Sequence, residues 1–283
     1  MEDEDTLDAA LRAFAPGRLI ELSTDALRVE VAPQAGGRIA QISCDGLDWL
    51  CGHAPGNEAA IAWGSYPMLP WAGRVRHGRF EFDGRVVQLP LNLGAHAVHG
   101  VGFVLPWQVQ AQSAATLEMS LQLPRDARWP FGGRANQRIA ITQRTLRLEL
   151  SLTAEELAMP RPVLGWHPWF VKPERLDFLP THCYPRDEQG IATRPLVEPP
   201  WGSPWDDCFI NSRPVELGRV GRTLRLTADC NHWVVYDERA YSTCVEPQSG
   251  PPDAFNLEPG RRLASGETVT AWCHLEWPAS GHS

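Results

Sequence analysis

The residue type best suited to proton transfer at neutral pH is histidine, and His167 stands in Leu164-Gly165-Trp166-His167-Pro168-Trp169-Phe170. Pro160, Pro162 and Pro168 keep this stretch extended or turning and argue against a helix. An imidazole held among large aromatic rings sits in a lowered dielectric and in one orientation. Such a group gives and takes a proton near pH 7. The flanking aromatic faces, Trp169 among them, suit the apolar C–H faces of a sugar ring. A second stretch, Thr243-Cys244-Val245-Glu246-Pro247, offers a carboxylate where an apolar strand is expected to end at Glu246. A carboxylate at a strand end faces a cleft with the sheet fixing its position.

Three further groups have the chemistry to hold a polar ligand. Arg74 follows the apolar Pro67-Met68-Leu69-Pro70-Trp71-Ala72-Gly73 and offers a planar fork of donors. His96 and His99 have an H-x-x-H spacing, a weak metal signal without an accompanying carboxylate set. In Trp205-Asp206-Asp207-Cys208-Phe209, neighbouring strand residues point to opposite faces, so at most one of the two carboxylates is expected to enter a given site.

The elements that must position these groups are strands. Alternation of apolar and polar residues is clearest over 116–123, 145–152 and 269–277, with shorter runs at 27–31, 38–42, 86–89, 224–226 and 233–236. Gly, Pro and Asp punctuate the chain every ten residues or so, the rhythm of an all-β sandwich or barrel. Leu7, Leu11 and Phe14 share one helical face, so a short N-terminal helix is expected before Pro16-Gly17. Residues 195–204 read as a rigid proline-rich loop. Neither a repeat nor a linker divides the 283 residues, and one antiparallel β domain over 1–283 is the expected organisation.

Composition excludes several function classes. Net charge is −8 without a basic cluster, which disfavours nucleic acid. No apolar run approaches a membrane span. The N-terminal stretch Met1-Glu2-Asp3-Glu4-Asp5 is acidic, the wrong charge for a signal or transit peptide, so a soluble, cytoplasmic protein is expected. The seven cysteines are scattered and without a C-x-x-C pair, hence buried thiols are expected instead of disulfides or zinc ligands. Lys172 is the single lysine among 26 basic residues, so Schiff-base chemistry would have to use it. No glycine-rich nucleotide cradle follows a strand. Twelve tryptophans fit a surface that meets carbohydrate.

Taken in order, Pro70-Trp71-Ala72-Gly73-Arg74, Val98-His99-Gly100, Gly165-Trp166-His167-Pro168-Trp169-Phe170, Trp205-Asp206-Asp207-Cys208-Phe209, and Val245-Glu246-Pro247 with Pro252-Asp253-Ala254-Phe255-Asn256 resemble the motifs of the aldose 1-epimerase (galactose mutarotase) family. The resemblance implies a β-supersandwich of large antiparallel sheets. It further implies His167 as catalytic acid and Glu246 as catalytic base, with Arg74, His99 and Asp206 binding sugar hydroxyls. Two departures bear on the substrate: Gly73 stands where the family commonly has asparagine, and Trp169 where tyrosine is common.

The chemistry implied is interconversion of α and β anomers of a free aldose, as in galactose metabolism. A base takes the proton of the C1 hydroxyl, an acid protonates the ring oxygen, and the pair is expected on opposite sides of the C1–O5 bond. Neither metal nor other cofactor is called for. The expected partner is a small-molecule sugar, the chain being a monomer or homodimer. The rival closest in chemistry is an epimerase of a phosphorylated hexose, with Arg74, Arg76 and Arg79 converging on the phosphate. A glycoside hydrolase or lyase using Glu246 and Asp206 as paired carboxylates, and a non-catalytic carbohydrate-binding module, are the others.

Overall fold

The computed structural model describes residues 8–279 apart from Trp201 and Ser203. Leu7, the acidic stretch 1–5 and those two positions of the 195–204 loop lie outside the described residues. Two large antiparallel sheets carry the fold, one of ten strands and one of eight, with three two-stranded ladders beside them. The ten-stranded sheet places Ser65–Met68, Gly165–Val171, Ser242–Gln248, His232–Tyr236 and Asp206–Ile210 side by side. The eight-stranded sheet is built around Arg134–Ile141, Thr145–Thr153 and Thr268–Glu276; alternation of buried and half-exposed residues made the last two easy to foresee, whereas Arg134–Ile141 was not among the expected strands. Within the described residues, the stretch expected to be an N-terminal helix forms a three-residue 3-10 turn, Ala9–Leu11. Backbone bonds to Asn92 and Ile61 and the approach of Pro16 stop it from lengthening.

Between the sheets lies one apolar core that includes Trp166, Phe170, Trp233, Val235 and Val245 from the first sheet and Leu148, Leu150, Ala271 and Cys273 from the second. Side chains alternate along a strand. Because Trp166 and Phe170 enter this core, His167 and Trp169 must face the other way; because Val245 enters it, Cys244, Glu246 and Gln248 must. Trp169 and Cys244 accordingly belong to a separate apolar cluster with Tyr66 and Met68. Both faces of these central strands are covered, so Gly165–Val171 and Ser242–Gln248 are buried along nearly their whole length. The six cysteines other than Cys51 are buried, and all seven are free thiols.

The second face is shaped by one buried cation. Arg38 is fully buried and donates to the carbonyls of Ala35, Ala60, Trp63 and Phe103 at 2.7–3.1 Å. Its guanidinium lies over the Trp63 ring, 4.2 Å from the centroid. Burial lowers its pKa to about 9. Arg38→Leu leaves those carbonyls without donors and is expected to lower the unfolding free energy by about 3–5 kcal/mol, read as a lower denaturant midpoint.

Candidate active site

His167 and Glu246 meet at the floor of a cavity of about 320 Å³ on that second face. The cross-strand register Gly165↔Gln248 and Trp169↔Cys244 puts the two side by side on adjacent strands. His167 Nε2 lies 3.2 Å from Glu246 Oε1. The imidazole is sandwiched: Tyr66 stacks on it at 4.8 Å and 21°, Trp169 at 5.4 Å and 25°, and His99 meets it edge-on at 4.9 Å. Rings on three sides leave little freedom to turn. Gln248, two residues along the strand from Glu246, donates Nε2–H to Glu246 Oε2 at 3.2 Å and fixes the carboxyl plane.

The expected placement of acid and base on opposite sides of a sugar is not what the geometry gives, because the two are in contact. The strand was also expected to end at Glu246, whereas it runs on through Pro247 to Gln248. Proline has no N–H for the ladder and reads as a terminator. Here Pro168 and Pro247 both sit inside central strands, and the ladder between them is interrupted at the His167–Glu246 row.

Burial governs the protonation of the pair. It pushes the Glu246 carboxyl well above the usual range, with Asp206 adding to the shift. It drives His167 down to about 3, with Arg38 acting in the same direction. A raised carboxyl is a stronger base and a lowered imidazolium a stronger acid, so both shifts favour proton exchange with a bound ligand. The His167 shift also has a stability sign. Its folded pKa is depressed from 6.5, so the stability it leaves intact above 6.5 is lost as pH falls toward about 3. His167→Gln should flatten that acid limb in pH-dependent denaturation.

His99 closes one side. Its Nδ1 accepts the Gly73 N–H at 3.3 Å, so the neutral ring carries its proton on Nε2. Burial first, then His167 and Arg74, hold its pKa well below 6.5. The residue takes a left-handed backbone, φ 61°, unusual outside glycine. In the other half of the H-x-x-H pair, His96 Nδ1 accepts the His77 N–H at 3.2 Å, so the two histidines serve separate backbone contacts. Among the described residues, the ligand-type atoms that do converge, within 4.8 Å, are those of His167, Cys244 and Glu246. Burial holds the Cys244 thiol well above 9, in its protonated, poorly ligating form.

Asp206 and Arg74 sit across the floor, 3.8 Å apart. Contrary to the one-carboxylate expectation, Asp206 and Asp207 both line the cavity. They stand at the start of a strand, and Arg186 bridges them with Nη1 to Asp206 at 2.7 Å and Nε to Asp207 at 3.0 Å. Arg186 and Gln248 carried no motif signal, although the Glu-x-Gln spacing on an alternating strand puts Gln248 on the Glu246 face. The Pro252–Asn256 motif is structural: Asp253 accepts the Arg76 N–H at 3.0 Å and Asn256 Nδ2–H at 2.7 Å, pinning the segment that carries Arg74. Gly73 has φ +66°, and a Cβ there would meet Pro252 Cβ at 2.6 Å, so an asparagine does not fit this backbone.

The family description "Aldose 1-epimerase" matches residues 18–276. The chain belongs to the aldose 1-epimerase family. The protein YphB of Escherichia coli strain K12 is 31% identical over 291 residues, covering 90% of this chain and 98% of that one. Among solved structures, the GalM/aldose epimerase homologue from C. elegans superposes with a TM-score of 0.79 at 15% identity, covering 93% of this chain and 99% of the other. Galactose 1-epimerase from Lactobacillus acidophilus NCFM gives 0.75 at 18%, covering 92% and 94%. At such identities the likeness is one of fold, and that fold is the galactose-mutarotase-like β-sandwich of this family.

Proposed function

We propose that the protein interconverts the α and β anomers of a free aldose, with Glu246 and His167 as the proton carriers. The observation that carries this reading is their 3.2 Å contact at the floor of the cavity. The hydroxyl oxygen O1 and the ring oxygen O5 are bonded to the same carbon, C1. Groups serving both must therefore be neighbours, not opposed across a ring.

The one proton of the pair first passes from Glu246 to His167 across their 3.2 Å contact; Glu246 then takes the proton from O1–H while His167 delivers one to O5. The C1–O5 bond breaks, the C1=O1 carbonyl forms, and the pair is left as carboxylic acid and neutral imidazole, the state that burial favours. Rotation about C1–C2 presents the other carbonyl face. His167 then takes the proton from O5–H, O5 attacks C1, and Glu246 returns its proton to O1. Protons balance, and no other reactant is consumed. Gln248 keeps the Glu246 carboxyl in plane, His99 donates from Nε2, and Arg74 and Asp206 supply a donor and an acceptor for hydroxyls.

A phosphorylated substrate is less well supported. Of Arg74, Arg76 and Arg79, Arg74 lines the cavity, whereas Arg76 pairs with Asp187 and Arg79 is exposed on the Arg79–Phe82 strand. The test is polarimetric decay of freshly dissolved α-aldose across galactose, glucose, arabinose, xylose, 6-deoxygalactose and glucose 6-phosphate. Faster decay of a free sugar supports the reading; decay at the buffer rate for every sugar rejects it.

A further inference from the structure

The cavity has two unlike walls. On the side of Asp206 it is charged, with Arg74, Arg186, Asp207, Glu238 and Arg239. Trp169 stands between Tyr236, whose ring meets it edge-on at 6.0 Å, and Ile61, with Leu11 and Leu93 also lining the cavity. The Trp169 indole N–H is already spent on the Ile61 carbonyl at 2.8 Å, so the ring offers a ligand only carbon. Ile61 packs against the apolar cluster that contains Trp169. Leu11 is 40% exposed, a cost that an apolar ligand surface would offset. Its segment is tied down by the Ala10 N–H to Asn92 carbonyl bond at 3.0 Å and the Ile61 N–H to Ala10 carbonyl bond at 3.1 Å. The family match begins at residue 18, so Leu11 reaches the cavity from outside the matched region.

Which part of a sugar meets this wall follows from the proton carriers, and so rests on the proposed reaction. O5 bonds C1 and C5. With O5 at His167 and O1 at Glu246, the substituent on C5 lies on the His167 side. Trp169 projects from the same strand face, its ring 5.4 Å from that of His167. A hydroxymethyl group directed between Trp169, Ile61 and Leu11, away from Tyr236, would bury its O–H against carbon without a partner, a loss that a methyl group or a hydrogen does not incur.

We infer that the site selects aldopyranoses whose C5 carries a methyl group or a hydrogen, that is 6-deoxyhexoses and pentoses, over those with a hydroxymethyl group, and that Leu11 is a specificity-determining residue. The test compares kcat/KM for galactose, 6-deoxygalactose and L-arabinose, which share ring configuration and differ at C5. The expected order has 6-deoxygalactose and arabinose above galactose by about tenfold. In Leu11→Asn the amide gives the hydroxymethyl group a partner, and the ratio of 6-deoxygalactose to galactose should narrow by roughly threefold or more, chiefly through a lower KM for galactose. Leu11 is exposed, so the substitution does not threaten folding. Galactose turned over as well as the other two overturns the selectivity while leaving the mutarotase reading in place. A ratio unmoved by Leu11→Asn overturns the role of Leu11. No turnover of any of the three removes both readings together.

Discussion

Glu246→Gln is expected to lower kcat for anomer interconversion by roughly 10²–10⁴-fold with little change in KM. The amide keeps the size of the carboxyl and can still contact His167 and Gln248, but it cannot take the O1 proton. The substitution also relieves a buried carboxyl of its desolvation cost, so the variant should be at least as stable as the parent near and above neutral pH. That follows from the sign of the shift. The Glu246 pKa is raised in the folded state, so the folded protein loses stability relative to the unfolded chain as pH climbs from 4.5 through the raised value. Lost activity with retained stability separates a chemical role from a structural one. Stopped polarimetry or anomer-exchange NMR, together with a denaturation curve, reads both.

His167→Asn is expected to cost a comparable factor, roughly 10²–10⁴ in kcat, since ring opening then has no acid at O5. The double variant His167→Asn, Glu246→Gln should fall little below either single one, because the two groups act as a unit. In the proposed reaction the pair works while it holds one proton. Activity is lost on the acid side when a second proton is bound, and on the alkaline side when the one proton leaves. With His167 drawn down to about 3 and Glu246 raised, kcat/KM should show no inflection near 6.5, the ordinary histidine value. A midpoint at 6.5 would show a solvated imidazole, contrary to the buried ring between Tyr66 and Trp169.

How much of this was legible in the sequence depends on how each strand is buried. Thr145–Thr153 and Thr268–Glu276 face core on one side and water on the other, so their period of two is written in the residues. The strands that carry the chemistry are covered on both faces, and their alternation is hidden in unbroken burial. Pro247 then made Glu246 look like a strand end when it is a strand interior. His167, Glu246, Arg74, His99, Asp206 and Trp169 were found through motif order, and all six line one cavity. What the motifs did not carry is geometry between distant segments: the contact of acid and base, the Arg186 bridge that admits both Asp206 and Asp207, and the Leu11 wall. The first follows from the register of two central strands, and the others from loops whose paths are set by Arg38, Asp253 and backbone hydrogen bonds rather than by local propensity.

The central claim is that Glu246 and His167 together move protons on and off the oxygens of one sugar carbon. The most direct measurement is the rate of optical-rotation decay of fresh α-aldose, catalysed by equal amounts of parent protein and Glu246→Gln, with substrate binding followed in parallel by tryptophan fluorescence. The account predicts rapid decay with the parent, decay close to the buffer rate with the variant, and similar affinity in both. Equal catalysis by the two proteins would contradict it.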